Sequence, residues 1–545
     1  MNFDWHNPYP SVRTPVFARN LVATSQPLAA QAGLRMLHSG GNAIDAAVAA
    51  AAVLTLTEPC SNGLGADNFA IVWDPSARHL LGLNSSGTAP AAWSLDFFGR
   101  KYGDDLEHNR PQRGWDTVTV PGAAAGWALL HGRLGRLAFD NVLAPAIEYA
   151  ERGFAVSPIV HDKWQRAVPL LKNGPGWADH FMPKGRAPAV GEHFVLSGAA
   201  RTLKLLARDG GAAFYHGEIA EAIEQHARAT EGALTSRDLA TYWDFVQQDG
   251  WVDTISTPFH GHELHEIPPN GQGIAALACL GILRHTALAE YAVDSVDWQH
   301  VAIEAMKLAF ADTYALVADP RTMEMPPAAM LDDAYLAQRA RLIDMRHAQA
   351  PAAGAPPRGG TVYLTTADAS GMMVSLIQSN YMGFGSGVVV PGYGISLQNR
   401  GHNFSMDPAS PNVVAPGKRP FHTIIPGFLM KDGAPQMSFG VMGGNMQPQG
   451  HVQTLVRMLL AQQQPQAACD APRWKVMSGL DIEVEAAIPL TVIDELARRG
   501  HRITRANDSY MDFGSGQFIW RLGDPAVDGY VAASDSRRDG LVAGY

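Results

Sequence analysis

The feature that most restricts how this chain folds lies well past its midpoint. From Ala348 to Gly360 the sequence runs AQAPAAGAPPRGG, without one large apolar side chain. A segment with nothing to bury reads as a mobile linker, here over about residues 346–360. It ends on Gly359 and Gly360 and abuts Thr361-Val-Tyr-Leu-Thr-Thr-Ala-Asp, a strand pattern. A turn at Asp368-Ala-Ser-Gly371 and a return strand from Met372 follow. The linker therefore divides the chain into residues 1–360 and 361–545.

Around that break the patterns mix helix and strand. Ser25-Gln-Pro-Leu starts a helix that Gly40-Gly41 stops. Asn42 caps a second one, with Asp45 in its first turn, and the alanine run Ala46 to Ala52 suits close helix packing. Asn68 to Asp74 and His79 to Asn84 flank Asp74-Pro75 and read as a hairpin. From about Gly126 to Ile343 the chain is mainly helical; the clearest stretch, Val301 to Asp312, puts Val301, Ala305, Leu308 and Ala309 on one face.

Composition bounds the function more than it names it. With 545 residues, 46% apolar and 17% charged, the chain has an ordinary globular balance and can bury a sizeable core. A formal charge of -10 disfavours nucleic acid and anionic membranes as partners, since both prefer a basic protein. The opening residues hold no apolar h-region, and the alanine-rich run from Ala43 to Leu56 is too short to span a bilayer. Cys60, Cys279 and Cys469 are odd in number and far apart, which argues against a disulfide framework and leads us to expect a cytoplasmic protein.

Thr361 by itself is an ordinary strand-initial threonine. Its position gives it a chemistry. A hydroxyl nucleophile needs a base, and a free α-amine with a pKa near ~8 is a base carried by the same residue. The chain gains that amine only if it is cut in front of Thr361. Gly359 and Gly360 tolerate the strained backbone that an N-to-O acyl shift requires. Such an N-terminal threonine is a variant of the logic of catalytic triads.

Many short motifs then stand in a particular order. They include Gly40-Gly-Asn-Ala-Ile-Asp-Ala-Ala-Val48, Glu58-Pro-Cys-Ser-Asn-Gly-Leu-Gly65, Val120-Pro-Gly-Ala-Ala-Ala-Gly126, Leu143-Ala-Pro-Ala-Ile147 and Glu304 to Asp312. After the linker come Phe384-Gly-Ser-Gly387, Gly417-Lys-Arg-Pro420, Gly443-Gly444, Asp470-Ala-Pro-Arg473, Ala533-Ser-Asp535 and Arg538-Asp-Gly540. On these motifs the sequence resembles the γ-glutamyltransferase family over nearly its whole length. The resemblance implies an α+β fold, the four-layer αββα sandwich of N-terminal-nucleophile hydrolases. It also implies a precursor that cuts itself between Gly360 and Thr361 and becomes a heterodimer of its own two fragments. Thr361 falls on the family's nucleophile and α-amine base, and Ser379 on a residue that orients the nucleophile. Gly443 and Gly444 fall on the glycine pair whose N–H groups form an oxyanion hole. No metal or organic cofactor is implied.

The implied substrate pocket departs from the family's pattern. Ser86 stands where glutathione-cleaving members carry an arginine for the α-carboxylate, and Asn403 where they carry an acid for the α-ammonium. Tyr381 replaces an asparagine, Arg400 a glutamine or glutamate, and His422-Thr423 a pair of serines. Losing the acid weakens ammonium binding, while Arg400 adds a fixed fork for an anion. The expected acyl donor thus carries a carboxylate or other polar head without a glutamyl α-carbon, and it reaches water through an acyl-enzyme. The segment from Phe404 to Lys418 is short and resembles that of members without a pocket lid. The alternatives are a genuine γ-glutamyl hydrolase or transpeptidase, in which Arg400 replaces the lost arginine, and an uncut pseudoenzyme or binding protein. A serine hydrolase would need a nucleophile elbow, and none is found. His262-Glu-Leu-His265 lacks zinc spacing and is expected on a solvated strand face.

Overall fold

The computed structural model describes residues 8–10, 13–351, 360–506 and 513–545. Most of the expected linker, residues 352–359, lies outside the described residues.

Two seven-stranded sheets pack face to face. The first runs, in spatial order, through Val16–Ala18, Tyr530–Ser534, Ser515–Arg521, Ala434–Met442, Gly427–Lys431, His262–Glu266 and Ile255–Phe259. The second runs through Leu541–Gly544, Leu21–Thr24, Gly360–Ala367, Met373–Tyr381, Asp67–Asp74, His79–Ser85 and Trp251–Val252. All pairings in both sheets are antiparallel. Phe69, Ile71, Tyr363, Ile377, Phe428, Met442 and Ile519 fill the space between them. Helices Ala43–Thr57 and Ala123–Leu134 cover the outside of the second sheet, and Gly273–Leu283 and Met446–Leu459 the outside of the first. The result is the four-layer αββα sandwich. Its central strands face a sheet on one side and helices on the other, so both of their faces are dry. Every residue of Asp67–Asp74 and Met373–Tyr381 is buried.

Local chemistry explains the helices next to this core. Asn42 and Asp45 form a capping box: the Asn42 side chain accepts from the Ile44 and Asp45 N–H groups, and Asp45 accepts from the Asn42 N–H at 2.9 Å. The alanine-rich helix behind them is buried at all fifteen positions. Its neighbour, Pro27–His38, is capped by Gln26 rather than Ser25, whose hydroxyl donates instead to Glu58 at 2.6 Å.

Two further expectations change. Helix Val296–Leu316 is buried on nearly every side rather than along one stripe, because helices and the small sheet of Trp474–Ser478, Asp481–Val484 and Arg502–Arg505 enclose it. His262 to Glu266 is a strand, but its His262, Leu264 and Glu266 face is buried against helix Gly273–Leu283, and only Glu263 on the other face is exposed.

Candidate active site

Thr361 sits one residue into a central strand, opposite a β-bulge. Gly360 pairs with Tyr381 and Val362 with Gln378, so Ser379 and Asn380 together oppose Thr361. The extra residue in the return strand re-aims Ser379, and Tyr381 absorbs the distortion at φ 74°. Thr361 Oγ donates to Ser379 Oγ at 3.2 Å, and the Tyr381 N–H donates to the same serine oxygen at 2.8 Å. Both hydroxyls are buried, Thr361 being 2% exposed.

Gly443 and Gly444 lead from the first sheet into helix Met446–Leu459 with φ 126° and 59°. A Cβ on Gly443 would meet Gly514 Cα at 2.9 Å, so both the backbone angle and the space call for glycine. The Gly443 carbonyl accepts from the Met446 N–H at 3.1 Å, inside the helix's first turn. Because a trans peptide's N–H opposes its C=O, the Gly444 N–H points outward from the helix start, where the helix dipole favours negative charge. This is the electrostatic requirement of an oxyanion hole.

The pocket residues fall into two linked networks. Arg400 is fully buried, spans from Thr423 Oγ at 2.7 Å to the face of Tyr381 at 4.6 Å, and keeps Nε and Nη2 without hydrogen-bond partners. Burial pulls its pKa down to about 10, which leaves it protonated at neutral pH. The Tyr381 hydroxyl is also buried and unpartnered. Ser86 belongs to the second network, where its hydroxyl donates to Asn84 at 2.8 Å and accepts from Asn270 at 3.2 Å. Asn403 spends its amide on the Phe421 carbonyl at 3.0 Å.

Sequence reasoning missed three residues here. Asp67 is fully buried, accepting from the Gly87 and Gly122 N–H groups at 3.2 and 3.0 Å and from His422 Nε2 at 3.1 Å. Burial pushes its carboxyl up to about 7 against the pull of Arg400. Burial and the Arg400 and Arg419 charges hold His422 well below the usual histidine range, so the ring is neutral and donates from Nε2. Gln272 ties the pocket to the glycine turn, donating to the Thr423 and Gly444 carbonyls at 2.6 and 3.0 Å. Gln447 donates to Thr361 Oγ at 3.4 Å. A glutamine three positions after a glycine pair that opens a helix projects from its first turn, and that spacing was the available signal.

With this geometry in view, comparison with known proteins is decisive. The gamma-glutamyltranspeptidase family profile matches residues 29–545. The chain belongs to that family. It is 34% identical over 504 residues to a glutathione hydrolase-like YwrD proenzyme of Bacillus subtilis (strain 168), covering 91% of this chain and 93% of the relative. It is 33% identical over 500 residues to an acylase ACY 1 proenzyme of Pseudomonas sp. (strain SE83), covering 90% and 88%. The crystal structure of cephalosporin acylase from Bacillus halodurans superposes with a TM-score of 0.92 at 47% identity, over 100% of this chain and 99% of that one. The protein is thus an amidohydrolase of the γ-glutamyltranspeptidase family with the N-terminal-nucleophile hydrolase fold.

Among the described residues one buried cluster, His300, Glu304 and His501, has metal-like spacing. Lys307 Nζ already occupies it, donating to Glu304 at 2.7 Å and to His501 Nδ1 at 3.2 Å. His501 Nε2 then donates to His300 Nδ1, and His300 Nε2 to the Asp344 carbonyl, both at 2.9 Å. Each ring nitrogen is committed in one consistent tautomer chain, so the cluster is a hydrogen-bond relay under the helix and not a ligand set.

Proposed function

We propose that the chain is a self-processing precursor whose Thr361 becomes an N-terminal nucleophile, and that the mature enzyme hydrolyses an amide whose acyl group ends in a carboxylate. The observation that carries the substrate reading is Arg400, a buried cation with two unpartnered nitrogens beside the nucleophile strand. A planar fork of this kind matches a carboxylate, and burial strengthens the pairing. No acid takes the place of the missing ammonium partner, since Asn403 is neutral and its amide is occupied. The acylase names among the relatives agree with a donor other than a glutamyl group.

In the mechanism, Thr361 Oγ attacks the Gly360 carbonyl, nitrogen leaves, and water cleaves the resulting ester. The freed α-amine then takes the Oγ proton as Oγ attacks the substrate amide. Gly443 and Gly444 meet the oxyanion, the amine returns the proton to the leaving nitrogen, and water releases the acid.

A γ-glutamyl donor is the second reading. It is favoured by the glutathione hydrolase-like relative. One experiment separates the readings. On a denaturing gel the purified wild type should give fragments 1–360 and 361–545, while Thr361→Ala remains one chain. The processed enzyme should then turn over a glutaryl anilide faster than a γ-glutamyl anilide. An uncut but active wild type defeats the nucleophile assignment, and the opposite substrate order defeats the donor assignment alone.

A further inference from the structure

The donor that Gln447 directs at Thr361 Oγ is built rather than incidental. Gln447 is fully buried in the first turn of helix Met446–Leu459. The Ile425 N–H donates to its Oε1 at 2.9 Å. Only an oxygen accepts that hydrogen, so the orientation of the amide is fixed and Nε2 has to face Thr361. Gln272, which also donates to the Thr423 carbonyl, restrains the same turn through the Gly444 carbonyl at 3.0 Å.

The hydroxyl of Thr361 offers one hydrogen and two lone pairs. The hydrogen is directed at Ser379 and one lone pair receives the Gln447 N–H, which leaves the other lone pair for an incoming carbonyl carbon. We infer that Gln447 is a positioning residue for the nucleophile, holding Thr361 Oγ together with Ser379 and donating to it as negative charge develops. This inference rests on the reading of Thr361 as nucleophile. During attack the Oγ proton passes to the α-amine, the Oγ–C bond forms, and the carbonyl π electrons move to oxygen. As the proton leaves and before the new bond is complete, Oγ carries more negative charge than the resting hydroxyl, so the Gln447 bond is stronger in the transition state than before it. The same bond acts in self-cleavage, because the same oxygen attacks Gly360.

The test compares Gln447→Leu and Gln447→Glu with the wild type on an anilide substrate. The leucine variant keeps the bulk without the donor. Its kcat should fall roughly 10- to 100-fold, the range for losing one hydrogen bond to a developing charge, with KM within a few-fold and slower conversion to fragments. The glutamate variant still accepts from Ile425 with one oxygen, so it guards against simple misfolding. Its other oxygen donates only while protonated. Relative to wild type, its kcat should therefore be best at low pH and should fall as the carboxyl ionises. A leucine variant with wild-type kcat and processing overturns the inference, as does a glutamate variant whose deficit is the same at every pH. An active, cleaved Thr361→Ala overturns the nucleophile reading itself and takes this inference with it, an outcome distinguishable from failure at Gln447 alone.

Discussion

Arg400 shows how much one side chain can reveal before and after folding. In the sequence it is only a basic residue at a position where relatives carry a neutral or acidic one. In the structure it is a buried cation held by Thr423 and Tyr381, with spare nitrogens. Replacing it by alanine should raise KM for a carboxylate-tipped donor by roughly 10- to 100-fold, the value of a charge-assisted bond, and leave an uncharged acyl anilide little affected. Arg400→Lys should recover only part of the loss, because an ammonium cannot form the two-pronged pair. Equal losses on charged and uncharged donors would show that Arg400 only supports the pocket wall. Thr361 and the glycine pair were legible only through the order of the family's motifs, since alone they read as a strand-initial threonine and a tight turn. Gln447, Gln272 and Asp67 were not, since each acts on a residue far away in sequence, and Gln447 is 86 positions from Thr361.

The helix Met446–Leu459 that follows Gly443 and Gly444 is seated by one buried pair. His451, on that helix, lies 2.7 Å from Glu266 on strand His262–Glu266, and neither side chain reaches solvent. Burial lowers His451 from an ordinary 6.5 to about 3 and raises Glu266 well above its ordinary 4.5, so the folded pair is neutral and carries one proton. The unfolded pair carries two protons below about 4.5, one between 4.5 and 6.5, and none above. Stability contributed by the pair therefore peaks between those values, falls with acid below 4.5, and falls again as pH rises past 6.5. Glu266→Gln removes the titrating acid. The variant should lose stability with acid already from 6.5 downward, and its Tm should gain on the wild type as pH rises from 6.5 toward 9. A Tm difference that does not change as pH rises past 6.5 would mean that the folded pair holds no more protons than the folded variant, which rules out the neutral, protonated pair. The sequence showed Glu266 only within a pattern of alternating polar residues. Alternation marked a wet face, where Glu263 is exposed, but did not show that His262, Leu264 and Glu266 lie on the buried one.

At the scale of the whole molecule, the proposed cut before Thr361 would divide one core between two chains without opening it. Strand Leu21–Thr24 of the first fragment lies between Gly360–Ala367 and Leu541–Gly544, which belong, from Thr361 onward, to the second. Met373–Tyr381 pairs with Asp67–Asp74 across the same divide. In the first sheet Gly427–Lys431 pairs with His262–Glu266, and Tyr530–Ser534 with Val16–Ala18. Separating the fragments would strip hydrogen-bonded edges from both sheets and expose the apolar layer between them, a cost far above that of an ordinary contact between domains. The two fragments of the processed enzyme should therefore elute together from a sizing column in native buffer and part only in denaturant. Residues 361–545 produced alone should be insoluble, because their strands have lost the partners that end each ladder. Co-expression with residues 1–360 should restore solubility. Fragments that separate in native buffer with activity retained would show that the shared sheets are not what holds the site together.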